Sequence, residues 1–136
     1  MIVVDASSLL QYLLNDVPAV KAVVDAAADD PSEPLHAPEL IELEVLQALR
    51  RLVRVGAVDP RDAHTLLSDL AATRLERHGH APLRERVWQL RDRLTAYDAA
   101  YVALAERLRA DLLLTADKGM AAVAQDVLGA ARVRLV

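Results

Sequence analysis

Hydrophobic positions along this chain change their period repeatedly, and each change marks an element. Ile2-Val3-Val4 is a short β-branched run that stops at Asp5, and Ala6-Ser7-Ser8 then supplies capping oxygens ahead of the apolar-periodic stretch Leu9 to Leu14. This predicts a buried strand running into a helix. Asp16 with Pro18 opens a second helix through Val20, Val23 and Val24, which ends in Asp29-Asp30-Pro31-Ser32. Pro34 to Ala37 is a short extended piece. Pro38 then begins a helix reaching Val55, the longest in the chain, with Gly56 as its stop. Asp59-Pro60 repeats the cap-then-proline signal for a helix over 60–73, and Arg74 to His80 alternates as a brief strand. Residues 82–94 and 96–109 read as two helices, the second opened by Thr95. Leu112-Leu113-Leu114 is a buried strand leading to Thr115-Ala116-Asp117, Lys118 to Val127 is helical, and Val133 to Val136 is a last strand.

Short apolar strands alternating with helices predict an α/β fold, a small parallel sheet flanked by helices. At 136 residues, with no linker or repeat, the chain is expected to form a single domain over 1–136. Ligands of open parallel sheets sit beyond the carboxyl ends of the strands, so Asp5 and Asp117 are expected to face one crevice. Hydrophobic residues at 54% exclude a disordered tail, and the absence of cysteine excludes disulfides, thiolate zinc sites and cysteine nucleophiles. No apolar run approaches the roughly 18 residues of a membrane span, and no basic segment precedes the apolar start, so a soluble protein without an export signal is expected.

The net charge of −4 argues against nucleic acid as a partner until its distribution is considered. Residues 1–48 hold one Lys and nine acids, whereas residues 49–136 hold fifteen basic and eleven acidic groups. Arg50, Arg51 and Arg54 form one basic cluster, and Arg74, Arg77, Arg84, Arg86, Arg91 and Arg93 a sparser second, although solvated helix faces account for most such arginines. With aromatics at 3%, an extensive base-stacking platform is not expected.

Four carboxylates stand beside strongly apolar sequence, and each has a local alternative. Asp5 sits where an N-cap would, a job Ser7 is equally placed to do. Asp98 lies three residues after Thr95, the spacing of a capping box, and Asp117 begins the Lys118 helix. On a helical wheel Glu44 falls at the edge of the apolar arc and Glu42 deeper within it, so periodicity alone nominates Glu42 as the anomalous acid. Crowded carboxylates repel, which a divalent cation relieves; Mg²⁺ and Mn²⁺ prefer such oxygen ligands. His78 and His80 alternate at strand spacing and read as a solvent-exposed pair; His36 and His64 read as isolated and without a role.

Val3-Val4-Asp5-Ala6-Ser7, Pro38-Glu39-Leu40 with Glu44-Val45-Leu46-Gln47-Ala48-Leu49-Arg50-Arg51, Tyr97-Asp98-Ala99-Ala100-Tyr101-Val102-Ala103-Leu104-Ala105-Glu106, and Leu114-Thr115-Ala116-Asp117 stand in this order. With these pieces the sequence closely resembles the PIN-domain ribonucleases of the VapC toxin family, over essentially the whole chain. The resemblance implies a PIN-like three-layer fold and an Mg²⁺-dependent endoribonuclease. It assigns the acidic roles to Asp5, Glu44, Asp98 and Asp117, leaving Glu42 without one. Gln47 departs from the Asn the family often has there, so a contact from it to the site would reach one methylene further.

The resemblance further implies that Asp5 and Asp98 are the principal metal ligands, with Glu44 and Asp117 in support. RNA phosphodiester bonds would then be hydrolysed by metal-activated water, leaving a 5′-phosphate and a 3′-hydroxyl. Ser7 and Thr115 are expected either to orient carboxylates or to serve as turn and cap residues, and Arg50, Arg51 and Lys118 to guide RNA. A cognate VapB-type antitoxin, a homodimer and a cytoplasmic location are implied as well. Two rivals remain at this stage. A receiver-type phosphoryl-transfer domain would have adjacent acids after its first strand, where this chain has Asp5-Ala6-Ser7. A helical protein-binding module, or a catalytically inactive PIN-like domain, would use the acids as caps or leave them in solvent.

Overall fold

The computed structural model describes residues 1–14, 18–30 and 33–136. In chain order the elements are β1 (Ile2–Val4), α1 (Ala6–Leu14), α2 (Pro18–Asp29), β2 (Leu35–Pro38), α3 (Ile41–Arg54), α4 (Pro60–Ala72), β3 (Leu75–His78), α5 (Arg84–Gln89), α6 (Ala96–Leu108), β4 (Leu112–Thr115), α7 (Lys118–Leu128) and β5 (Val133–Leu135). All five strands are parallel, in the order β3-β2-β1-β4-β5. β1 is flanked by the next strand in sequence on one side and by β4 on the other, so the strand order reverses beside it. The helices that follow β1 and β4 leave this switch point in different helical layers, α1 with α2, α3 and α4 and α7 with α6, and ligands of open parallel sheets bind at such a point.

Burial follows position in the sheet. β2 is buried along its length and β4 nearly so, whereas the edge strands β3 and β5 are each buried at their first residue and more exposed afterwards. α1 packs with α2, α3 and α4, while α6 packs with α5 and α7, giving one helical layer on each face of the sheet. α6 touches β1, β2 and β4 together and is buried continuously from Ala99 to Ala105. Its Ala-rich sequence, Ala99-Ala100-Tyr101-Val102-Ala103-Leu104-Ala105, lets the helix axis approach the strands closely, and a helix that is apolar on every side is stable only when covered. Among the described residues no helix is long and apolar enough to cross a membrane.

Most predicted elements are present within a residue or two. Asp59 caps α4 by accepting the Arg61 N–H at 2.8 Å, and Gly56, with φ of 75°, ends α3 in the left-handed conformation that only glycine adopts cheaply. Two predictions fail. Pro38 does not start the long helix: it closes β2 opposite His78, the Glu39 N–H donates to the His78 carbonyl at 2.9 Å, and α3 begins at Ile41. The helix expected over 82–94 is a 3₁₀ turn at Ala81–Leu83 followed by the short α5. Beyond Gln89 the chain makes turns that seat both Leu90 and Leu94 in the core before the Thr95 cap. Asp16 and the Pro31-Ser32 pair lie outside the described residues.

Candidate functional site

Asp5 is the first residue past β1, and its carboxylate is almost wholly buried, at 5% exposure. It is also the N-cap of α1: Oδ1 accepts the Ser8 N–H at 2.8 Å while the Asp5 carbonyl accepts the Leu9 N–H. The cap uses one oxygen, Oδ1, while Oδ2 is held from β4, so capping does not exhaust the carboxylate. Ser7 is not the cap. Its hydroxyl donates to Asp5 at 2.7–2.8 Å and accepts the Ala116 N–H at 2.9 Å, tying the β1–α1 junction to the β4–α7 junction. Thr115, fully buried, donates to Asp5 Oδ2 at 2.6 Å and accepts the Asp117 N–H at 2.9 Å. Three hydroxyl and amide donors thus hold one carboxylate, the usual way a buried acid is oriented.

Asp117 begins α7, where its Oδ1 accepts the Met120 N–H at 2.8 Å. A Cβ at Gly119 would stand 3.2 Å from that same oxygen, so glycine leaves the carboxylate its room. Asp98 lies in the first turn of α6, half-buried; the helix cap is Thr95, whose hydroxyl oxygen accepts the Asp98 N–H at 3.2 Å. Glu44 comes from the first turn of α3 and accepts a hydrogen bond from the Tyr101 hydroxyl on α6. Tyr101 was not singled out from sequence. The available signal was a phenol three residues after Asp98, on the same face of an otherwise apolar helix.

Electrostatics ties the four acids together. Burial raises the proton affinity of Asp5, against the hydrogen bonds from Thr115, Ser8 and Ser7. Burial likewise raises Glu44, opposed by Tyr101 and reinforced by the charges of Asp98 and Asp5. Asp98 is raised by burial and then by Asp117 and Asp5. Tyr101 is itself pushed far up, by burial first and then by Glu44, so it stays a proton donor. Among the described residues no Lys, Arg or His forms an ion pair with any of the four acids. Three acids at least partly desolvated, Asp5, Glu44 and Asp98, with the exposed Asp117 beside Asp98, are a donor set suited to a hard divalent ion. No three of these acids bring oxygens within 4.8 Å of one another among the described residues, so an ion held by them would keep water among its ligands.

Glu42, the acid favoured by the helical wheel, turns instead to β3 and pairs with Arg77. Gln47 is exposed and hydrogen-bonds to none of the acids. Arg50 and Arg51 are exposed in the last two turns of α3, and Lys118 is exposed beside Asp117; among the described residues none forms an ion pair. The histidine expectations need correction. His36 is buried at 6% exposure and its Nδ1 lies 3.0 Å from His78 Nε2, so it is neither isolated nor is His78 merely solvated. The strand register explains this: the residues are 42 apart in sequence but neighbours across β2 and β3. His80 accepts the Leu40 N–H at 3.2 Å, and His64 is exposed.

Comparison with known proteins agrees with this architecture. The PIN domain family matches residues 2–126. VapC ribonuclease Mb0985 of Mycobacterium bovis is 46% identical over 120 residues, covering 86% of each chain, and Ribonuclease VapC9 of Mycobacterium tuberculosis matches to the same extent. Ribonuclease VapC3 of Mycobacterium tuberculosis is 36% identical over 120 residues, covering 88% of this chain and 85% of its own. The crystal structure of PAE2754 from Pyrobaculum aerophilum superposes with a TM-score of 0.66 at 26% identity, over 97% of this chain and 81% of that one. A five-stranded parallel sheet with Asp5 and Asp117 just beyond the ends of two adjacent strands is thus carried by a chain that belongs to the PIN domain family, among the VapC ribonucleases.

Proposed function

We propose that this chain is the toxin of a VapBC-type pair, an Mg²⁺-dependent endoribonuclease that hydrolyses RNA phosphodiester bonds and is restrained by a cognate VapB-type antitoxin. Mn²⁺ substitutes for Mg²⁺, and the enzyme works in the cytoplasm as a homodimer whose 1–136 chain is one PIN domain. The observation that carries the reading is the electrostatic coupling that links Asp5, Glu44, Asp98 and Asp117, with no ion pair to any of them among the described residues.

Asp5 and Asp98 are the principal ligands in this reading, with Glu44 and Asp117 supporting them. A divalent ion held there supplies Lewis acidity toward a phosphoryl oxygen and a water acidic enough to lose its proton near neutral pH. The chain's own part is orientation. Thr115, Ser7 and Ser8 fix the Asp5 carboxylate, and Tyr101 donates to Glu44, opposing the burial that raises its proton affinity. Arg50, Arg51 and Lys118 offer unpaired positive charge to the phosphate chain on either side of the cut. Cleavage by water leaves a 5′-phosphate and a 3′-hydroxyl.

Purified protein incubated with total RNA in Mg²⁺, in Mg²⁺ with EDTA, and as the Asp98→Asn variant tests the proposal. Discrete fragments are expected with Mg²⁺ alone. Equal cleavage by the variant, or cleavage that survives EDTA, overturns it; no cleavage under any condition favours an inactive PIN-like binding module.

A further inference from the structure

Away from the four acids, three side chains at the β2–β3 edge of the sheet form a second constellation. The strands run parallel with His36 opposite Glu76 and Pro38 opposite His78, so His36, Glu76 and His78 come together across the pair. Two imidazole nitrogens, His36 Nδ1 and His78 Nε2, lie 3.0 Å apart. Glu76 reaches toward both, with Oε2 3.7 Å from His36 Nδ1 and Oε1 3.9 Å from His78 Nε2. Among the described residues this is the group of three His, Asp or Glu side chains whose ligand atoms all lie within 4.8 Å of one another.

A spacing of 3.0 Å suits a hydrogen bond between two neutral rings, one donating and one accepting. Two nitrogens bound to one tetrahedral ion, with metal–nitrogen bonds of about 2.05 Å, stand about 3.3 Å apart, so a parting of the rings by about 0.3 Å converts the pair into two metal ligands. The carboxylate distinguishes the two arrangements, because a neutral pair has no need of it, whereas a metal site requires a third donor turned to both nitrogens. Closing Glu76 onto a shared ion takes a movement of about half an ångström. Its side chain is 57% exposed and has the freedom to make it, while the His36 imidazole, 7% exposed, is already fixed in place.

We propose that His36, His78 and Glu76 form a binding site for a borderline transition-metal dication, represented by Zn²⁺, with water in the fourth position. Two imidazoles and one carboxylate are a donor set for zinc-class ions, whereas Mg²⁺ favours oxygen throughout, so the site takes an ion different from that of the acidic crevice. Its place in the fold indicates a bracing role. β3 is an edge strand, and its end also holds the turn that launches α3: the His78 carbonyl accepts the Glu39 N–H and His80 accepts the Leu40 N–H. An ion at His36 and His78 ties that edge to β2.

The test is calorimetric titration of the chelator-stripped full chain with ZnCl₂ in millimolar Mg²⁺, with thermal melting alongside. One equivalent of Zn²⁺ is expected to bind at micromolar concentrations and raise the melting midpoint, unchanged in Asp98→Asn. His78→Gln and the exposed Glu76→Gln are each expected to weaken binding about tenfold or more. Absence of saturable binding by the wild type overturns the proposal and leaves a hydrogen-bonded histidine pair. Wild-type affinity in either variant, or loss of the bound equivalent in Asp98→Asn, overturns the three-ligand site as well.

Discussion

At the scale of single residues, three of the four acids, Asp5, Glu44 and Asp98, act against stability when ionised. A carboxyl group whose proton affinity is raised in the folded chain binds its proton more tightly there than when unfolded. Its contribution to stability is greatest when protonated and is lost as pH rises through the raised pKa. Asp5, Glu44 and Asp98 all shift in that direction, from burial first and mutual repulsion second. Without a divalent ion, the wild type is therefore expected to lose stability relative to Asp98→Asn as pH climbs from the ordinary carboxylate range toward 7. Asp98 is only half-buried, so water screens much of the repulsion; the gain in Asp98→Asn is less than about 1 kcal/mol, a rise in melting midpoint of about 1–3 °C. Melting curves in EDTA at pH 4 to 8 read this directly, with the two proteins converging at the acid end. Adding Mn²⁺ is expected to reverse the order, because only the wild type retains the full ligand set. A variant no more stable than the wild type at pH 7 in EDTA would show that the repulsion is negligible.

Elements position these residues through their first turns, and the capping chemistry is where positioning separates from plain stability. Thr95 caps α6, which carries Asp98 and Tyr101, while Asp59 caps α4, which carries none of the site residues. Thr95→Ala and Asp59→Ala are each expected to cost about 1 kcal/mol, but only Thr95→Ala should weaken Mn²⁺ binding; equal effects of both on affinity would mean that α6 does not need its cap to hold Asp98. Caps of this kind were readable in the sequence, as were the strands, because Asp-Pro, Gly and β-branched runs act locally. What local pattern does not contain is the neighbour. Leu83, Val87, Leu90 and Leu94 recur at helical spacing, yet the core breaks that stretch into turns. The wheel of α3 ranks Glu42 above Glu44, since it holds no information on Arg77 across the sheet or Tyr101 on α6. The His36–His78 contact depends on β2–β3 register, which no single strand specifies.

Over the whole molecule, the charge excess of the later two-thirds of the chain divides into cations already in use and cations still available. Arg77, Arg86 and Arg93 pair with Glu42, Glu106 and Asp126, and the Arg91 guanidinium lies 4.6 Å from the centroid of the Trp88 ring. Arg50, Arg51 and Lys118 are exposed and unpaired, at the end of α3 and the start of α7. Arg51 stands seven residues beyond Glu44, close to two full helical turns, so it shares Glu44's face about 10 Å further along. Lys118 adjoins Asp117 on the far side of the switch point. A phosphate chain crossing the crevice would thus meet positive charge at both ends of its path, and binding it would release counterions in proportion to the contacts made. For single strands each phosphate contact contributes about 0.7 to the slope of log affinity against log salt. With Asp98→Asn as a background that does not cut, the Arg50→Ala, Arg51→Ala, Lys118→Ala triple variant is expected to flatten that slope for single-stranded RNA by about 2 and to weaken binding most at low salt. Fluorescence anisotropy over a salt series measures both quantities. The matched control is Arg86→Ala and Arg93→Ala, whose cations are neutralised within the fold, and it should leave the slope unchanged. A slope that responds to the control as strongly as to the triple variant would move the RNA path away from the crevice, to the surface where α5 and α6 meet.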